Sequence, residues 1–327
     1  MMGMVTAFWV TQIVRAAATY NLVDHLAEGT DTPDAIARAE DIDLDATRRL
    51  LRTCAALGLM TSADGGKHYR ATSLLSTLAK DDPHSLRGFA IAQASPGGWL
   101  PWGLFPDAVR TGRDQNKAAL GYETSWDYYA EHLDEAAFFT EAMANLSGAA
   151  ALDIAAVLDT KGVGFALDIG GAGGEVARAL LKANPDLRAG VFDLPHIAPS
   201  AAAAAAAEGL GERFTTVGGD FFEAVPPADL YVIKSVLHDW NDDECVRILR
   251  NVRASLREGG RVVVVEFLIP EIGVPGLAPL IDVNMLVVTT GKEREIAEFD
   301  ALLTTAGLRR TKITPAGAYA VIEAVPA

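Results

Sequence analysis

The chain has 327 residues, half of them apolar, and a formal net charge of −15. That length suits one large domain or two ordinary ones, and so acidic a surface repels a phosphate backbone, which argues against a nucleic-acid partner. No apolar run is long enough to cross a bilayer, so no membrane partner is expected, and the two cysteines, Cys54 and Cys245, fit no metal or redox spacing. Buried free thiols suit a reducing compartment, so a cytoplasmic location is expected.

Met1–Leu22 is apolar but interrupted by Thr11, Gln12 and Arg15, with no basic leading segment. It reads as a packed helix rather than a signal peptide. Thr32-Pro33-Asp34 has the form of a helix start, with Thr as cap, Pro in the first turn and an acid after it. Two helices joined at Asp41–Asp45 follow, the second with Leu50, Leu51, Cys54 and Leu57 at helical spacing and Gly58 as its stop. A small hairpin turning at Asp64-Gly65-Gly66 completes the outline of a winged helix over residues 1–82. Residues 83–150 read as mostly helical, broken early by Pro96, Gly97, Gly98, Pro101 and Pro106. An aromatic and apolar stripe runs from Trp126 through Phe139 to Met143, and core packing accounts for most of it.

Residues 151–327 alternate strand and helix. Strands are expected at Phe165–Ile169, Arg188–Phe192, Phe214–Val217, Leu230–Ile233 and Arg261–Glu266, with a last pair near Leu308–Ile313 and Ala318–Ala324. The alanine run Ala201–Ala207 suits a helix on the sheet flank. This alternation predicts an α/β fold with a doubly wound, mostly parallel, Rossmann-like sheet.

The chemistry-bearing residues fall at strand ends, where open α/β sheets bind ligands. In LDIGGAGG, Asp168 ends a strand, and Gly170, Gly171, Gly173 and Gly174 form a turn that lets backbone approach a ligand. The spacing does not match a phosphate-binding loop and no lysine follows, which disfavours ATP; glycines alone leave NAD open. Asp193, followed by Leu194, ends the second strand and is placed to accept hydrogen bonds from ribose hydroxyls. Asp220 and Phe221 follow the third strand, where an acid can meet an adenine amino group and a ring can cover its face. The fourth strand ends in Lys234, and His238 follows it before a helix capped by Asn241 or Asp242. An isolated histidine there usually serves structure. Two acids, Glu266 ending a four-valine strand and Glu293 in the loop GKERE, make a base more plausible, since either can orient the imidazole. Glu293 alone reads equally well as part of a solvated charged run.

These residues resemble a family. The ordered set LHDWNDDECVRILRN, GGRVVVVEFLIP, DVNML and GKERE is similar to class I S-adenosylmethionine-dependent methyltransferases. More narrowly, it resembles the small-molecule O-methyltransferases related to plant caffeic acid O-methyltransferase and to bacterial polyketide and antibiotic O-methyltransferases. The likeness covers nearly the whole chain. It implies a winged-helix dimerisation domain (1–82), a helical linker contributing to the acceptor pocket (83–150), and a cofactor-binding catalytic domain (151–327). It further implies that Gly170 and Gly171 line the methionine part of S-adenosylmethionine, that Asp193 and Leu194 meet the ribose, and that Asp220 and Phe221 hold the adenine. Lys234 would lie near the cofactor, and His238 would be the base flanked by Glu266 and Glu293. Phe139, Met143, Asn284 and Met285 would line the acceptor side. Ala172 departs from the family turn, where a third glycine is common, and the chain begins abruptly at the first dimerisation helix.

The expected activity is methyl transfer to a phenol or enol of a small aromatic or polyketide-type acceptor, with S-adenosyl-L-homocysteine as co-product. Alternatives are carbon or nitrogen methylation, a cofactor-binding relative with changed chemistry such as a hydroxylase or decarboxylase, and a winged-helix transcription regulator. The charge of −15 and the broad apolar face of the second helix argue against the last. A homodimer is expected because the N-terminal helices carry more apolar surface than a small domain buries. The six histidines are scattered, so no metal is expected.

Overall fold

Short polar side chains start two of the N-terminal helices by taking up free N–H groups of their first turns. The computed structural model describes every residue except Pro83 and His196. Thr32 accepts from the Ala35 N–H ahead of helix Pro33–Ala39, and Asp43 accepts from the Ala46 N–H ahead of helix Leu44–Ala56. An antiparallel pair follows, β1 (Met60–Thr61) and β2 (Arg70–Ala71), which gives the expected hairpin. Leu22, Ile36, Leu51, Cys54, Met60 and Leu75 are buried together as the core of this region.

The chain forms two units. One holds residues 1–103 and 126–146, the other residues 104–125 and 147–327. The segment 83–150 is therefore divided between them. Helix boundaries fall at Pro96 and beside Pro106, as the sequence suggests, while Pro101 is carried inside a helix. Pro96 opens helix Pro96–Trp102, Pro106 lies in the first turn of helix Phe105–Thr111, and Pro101 sits near the end of its helix. A first-turn residue has no use for its N–H, so proline fits there without loss. The aromatic stretch becomes two helices, Ser125–Glu131 and Leu133–Val157.

The larger unit is built on seven strands: β3 (Phe165–Ile169), β4 (Arg188–Asp193), β5 (Phe214–Gly218), β6 (Ala228–Lys234), β7 (Leu256–Glu266), β8 (Leu308–Ala316) and β9 (Tyr319–Pro326). Their order is β5-β4-β3-β6-β7-β9-β8. The first five are parallel, and β9 pairs antiparallel with both β7 and β8. The expected mostly parallel sheet is thus present, closed at one edge by an antiparallel hairpin.

Side chains of a strand alternate between sheet faces, and here both faces are covered. Tyr231, Ile233, Val262 and Val264 pack with Ile248, Leu249, Phe299 and Leu302 on one face. Leu230, Val232, Val263 and Val265 pack with Ile154, Leu180, Ala201 and Ala205 on the other. The alanine run is therefore a flank helix, with Ala201 and Ala205 against the sheet. Strand order reverses between β3 and β6, and the carboxyl ends of those neighbours flank the crevice where such sheets take ligands.

Candidate active site

The glycine turn leaves β3 where the backbone must bend into helix Glu175–Ala183. Gly170 has φ +67°, and a Cβ there would lie 2.8 Å from Val236 Cγ2. A Cβ on Gly171 would lie 2.6 Å from the Asp168 carboxyl carbon. Asp168 itself lies within β3 one residue short of its end, and it is buried. Ala172 holds φ +43°, a left-handed conformation that strains a side chain with a Cβ. Its N–H donates to Asp193 Oδ2 at 2.8 Å, while the Leu194 N–H donates to Oδ1 at 2.7 Å. Asp193 thereby ties the glycine turn to the end of β4. Phe221 approaches the same turn, 3.9 Å from a Cβ placed on Gly170, and its ring packs against Phe222 and Trp240. Asp220 is exposed, and its Oδ1 accepts from the Phe222 N–H at 2.8 Å.

The second half of the site follows β6. Ser235 has φ +51°, a strained position between Lys234 and the short turn Leu237–Asp239. Glu266 holds that turn from the end of β7, its Oε1 accepting from the N–H groups of Val236 at 3.1 Å and Leu237 at 2.9 Å. His238 Nδ1 lies 2.7 Å from Glu293 Oε1 and 3.9 Å from Glu266 Oε2. Its Nε2 is 3.7 Å from Asp239 Oδ1. Glu293 is positioned in turn by Asp282, whose Oδ1 accepts from the Glu293 N–H at 3.0 Å.

The electrostatics follow from burial and an excess of acids. Burial disfavours a charged His238, but Asp239, Glu266 and Glu293 outweigh it and push the imidazole up from 6.5 to about 10. Burial raises Glu266 to about 7 against the pull of His238. Burial likewise raises Asp168 to about 7, with Lys234 opposing and Glu175 and Asp193 adding to the shift. Lys234 is lowered by burial, while Asp168 and Glu266 hold its charge in place. It thus links the acids of the glycine turn to those around His238. Oε2 of Glu266 and Oε2 of Glu293 are buried with no hydrogen-bond partner among the described residues.

His238, Glu266 and Glu293, drawn from three separate elements, are brought together as the sequence suggested. One donor atom from each lies within 4.8 Å of the others, a set able to ligate a metal ion that histidine spacing alone did not reveal. Asn284 and Met285 stand on helix Ala278–Val288, two and three residues beyond Asp282, with Met285 buried. Phe139 and Met143 stand on helix Leu133–Val157 in the other unit, where Phe139 stacks on Tyr129 at 4.9 Å and meets Trp126 edge-on at 5.9 Å. Sequence reasoning missed Asp239, Asp282, Gly291 and Arg294. The run GKERE looks solvated, yet Glu293 and Arg294 are both buried.

A glycine turn tied to Asp193 and a histidine held among carboxylates thus stand at the carboxyl ends of neighbouring strands, where open α/β sheets take ligands. Residues 102–309 match the O-methyltransferase domain, and residues 2–81 match the O-methyltransferase dimerisation domain. The chain belongs to the O-methyltransferase family and carries that family's dimerisation domain. It is 31% identical to the phenazine O-methyltransferase PhzM of Lysobacter antibioticus, covering 100% of this chain and 95% of the relative. It is 37% identical to the O-demethylpuromycin-O-methyltransferase of Streptomyces alboniger, covering 97% and 86%. Among solved structures, NcsB1, an O-methyltransferase from neocarzinostatin biosynthesis in complex with S-adenosylmethionine and 2-hydroxy-5-methyl naphthoic acid, superposes with a TM-score of 0.84 at 31% identity, covering 97% of this chain and 96% of that one. Among the described residues no helix is long and apolar enough to cross a membrane.

Proposed function

We propose that this chain transfers a methyl group from S-adenosylmethionine to a phenolic or enolic hydroxyl of a small aromatic or polyketide-type natural product, with His238 as general base. The observation that carries this reading is the 2.7 Å contact between His238 and Glu293, placed after β6 next to the strand that bears the glycine turn. Relatives named for phenazine and puromycin methylation, and NcsB1 with its naphthoic acid, support an aromatic acceptor.

The residues fit the cofactor. Gly170 and Gly171 leave bare backbone where a Cβ would collide with Val236 or Asp168. Each Asp193 oxygen accepts one N–H and keeps a lone pair for a ribose hydroxyl. Two buried, unpartnered carboxylate oxygens and an excess of acids suit a cationic ligand. In this reading Gly170 and Gly171 hold the methionine part, Asp193 and Leu194 the ribose, Asp220 and Phe221 the adenine, and Lys234 lies alongside. When bound, S-adenosylmethionine supplies the methyl group and a sulfonium charge. Phe139, Met143, Asn284 and Met285 serve the acceptor, and no step is assigned to a metal.

His238 donates its Nδ1–H to Glu293, which leaves Nε2 to take the acceptor proton once the ring is neutral. In the free chain its carboxylates keep the ring protonated at neutral pH. A positive charge brought beside it favours loss of that proton and delivers the neutral base. An ordinary phenol ionises near pKa ~10, and the same positive charge, together with a base held at its oxygen, helps it ionise. Alignment supplies most of the rate, and proton removal adds roughly 10²–10⁴-fold. The assembly is a homodimer: Met2, Met4, Phe8 and Trp9 of the N-terminal helices are exposed, a face that a second copy covers.

The test incubates the protein with methyl-labelled S-adenosylmethionine and a panel of phenols, hydroxynaphthoic acids and hydroxyphenazines, and reads the product by mass and NMR. An O–CH₃ product is expected. A C–CH₃ or N–CH₃ product, or cofactor binding without methyl transfer, overturns the reading.

A further inference from the structure

Arg294 is 0% exposed, although it lies in a run of charges. A buried guanidinium persists only where its donors are satisfied. Here Nη1 donates to the Leu237 carbonyl at 2.9 Å and Nη2 to the Trp240 carbonyl at 2.9 Å. Nε and Nη2 both reach Asp242 Oδ1, at 3.0 and 2.7 Å. These acceptors bracket His238. The main chain of Arg294 is also engaged, its carbonyl accepting from the Ile269 N–H at 3.1 Å, three residues beyond Glu266. One residue therefore joins the segment bearing His238, the segment following Glu266 and, through its own peptide bond, Glu293. Gly291 works in the same sense. A Cβ there would overlap the His238 carbonyl oxygen and lie 2.5 Å from Trp240 N, so only glycine lets the two loops lie flush.

We propose that Arg294 is a positioning residue, holding the loop of Glu293 against the loop of His238 so that the hydrogen bond between them keeps its length and direction. Arg294 spends its donors on Leu237, Trp240 and Asp242 and acts through that pair. The groups facing the imidazole are Asp239, Glu266 and Glu293, and of these it is the Glu293 contact that depends on loop-to-loop registry. The planar fork matters as well as the charge, because a lysine ammonium cannot serve the Leu237 and Trp240 carbonyls and Asp242 together.

This inference rests on the reading of His238 as the base, and the experiment separates the two. Arg294→Lys, Arg294→Met, Gly291→Ala and His238→Gln are compared with the parent in the pH profile of kcat/KM, in affinity for S-adenosylhomocysteine, and in the downfield proton signal of the His238 Nδ1–H. Each Arg294 variant and Gly291→Ala is expected to lose tenfold or more in kcat, to shift the basic group's limb to lower pH by about one unit, and to broaden or lose the Nδ1–H signal. Homocysteine-cofactor affinity stays within threefold. Should Arg294→Met not fold, Arg294→Lys and Gly291→Ala carry the test. A parent-like limb and Nδ1–H signal in the folded variants overturn the inference even where activity falls. If His238→Gln retains turnover, the base reading fails, and the Nδ1–H signal alone then decides whether Arg294 positions the pair.

Discussion

Glu293 and Glu266 address His238 differently: the first meets the ring nitrogen at 2.7 Å, and the second spends its Oε1 on the backbone N–H groups of Val236 and Leu237. The two acids read from the sequence as equivalent flanking groups therefore have separate duties, and substitution divides them. Glu293→Gln is expected to lower kcat by roughly 10–100-fold, a fraction of the proton-transfer contribution, with a fall in Tm that reflects its lost charge beside the protonated ring and fades as pH rises through 10. Glu266→Ala leaves two buried N–H groups unpaired and is expected to cost about 1–3 kcal/mol of stability for each group not rescued by water. Glu266→Gln, whose amide oxygen still accepts both, retains most of that stability. Thermal melts and steady-state kinetics on the three variants check the division, and equal effects in both assays contradict it.

The protonation of His238 makes stability depend on pH. Its folded value of about 10 lies above the ordinary 6.5, so its contribution is fully present below pH 6.5 and is lost as pH rises through 10. Glu266 and Asp168, raised by burial to about 7, act in the same direction at lower pH. The Tm of the cofactor-free protein is expected to fall between pH 6.5 and 10, and His238→Gln is expected to flatten the curve in that window. Parallel curves for parent and variant remove His238 from the account.

Ala172 occupies a left-handed conformation at φ +43°. Such strain costs a non-glycine residue roughly 1–2 kcal/mol, partly offset because glycine is more flexible when unfolded. Ala172→Gly is expected to stabilise the protein by about 0.5–1 kcal/mol in denaturant titrations, with cofactor affinity preserved. A loss of stability would show that the alanine methyl makes packing contacts that outweigh the strain.

The N-terminal helices expose Phe8 and Trp9, at 49% and 58%. Phe8→Ser with Trp9→Ser is expected to shift the protein from dimer to monomer in sedimentation velocity at micromolar concentration, while the larger unit keeps its fold by circular dichroism. An unchanged dimer places the interface elsewhere.

Much of this architecture was legible because periodicity and strand-end chemistry are local. β3 has the limits its apolar run suggests, and β4, β5 and β9 differ only slightly. β7 begins at Leu256, ahead of the expected Arg261, because Arg257-Glu258-Gly259-Gly260 carries charge and glycine where no apolar signal can show. The irregular pairing with β6 between Ala228 and Leu230 accommodates it. Prolines 96 and 106 mark real helix boundaries, because each lies in the first turn of a new helix, whereas Pro101 does not interrupt the helix that holds it. Asp193 and His238 stood out by their place after strands. Arg294 and Gly291 did not, since their importance lies in contacts with residues some 50 positions earlier that only the folded chain brings close.

Binding of S-adenosylmethionine in the crevice between the ends of β3 and β6 is tested, without needing an acceptor, by calorimetric titration with S-adenosylhomocysteine. One site per chain is expected, with affinity at least tenfold weaker in Asp193→Ala and in Gly171→Leu, and parent-like affinity in His238→Gln. Absence of binding to the parent protein, or binding indifferent to both Asp193 and Gly171, contradicts it.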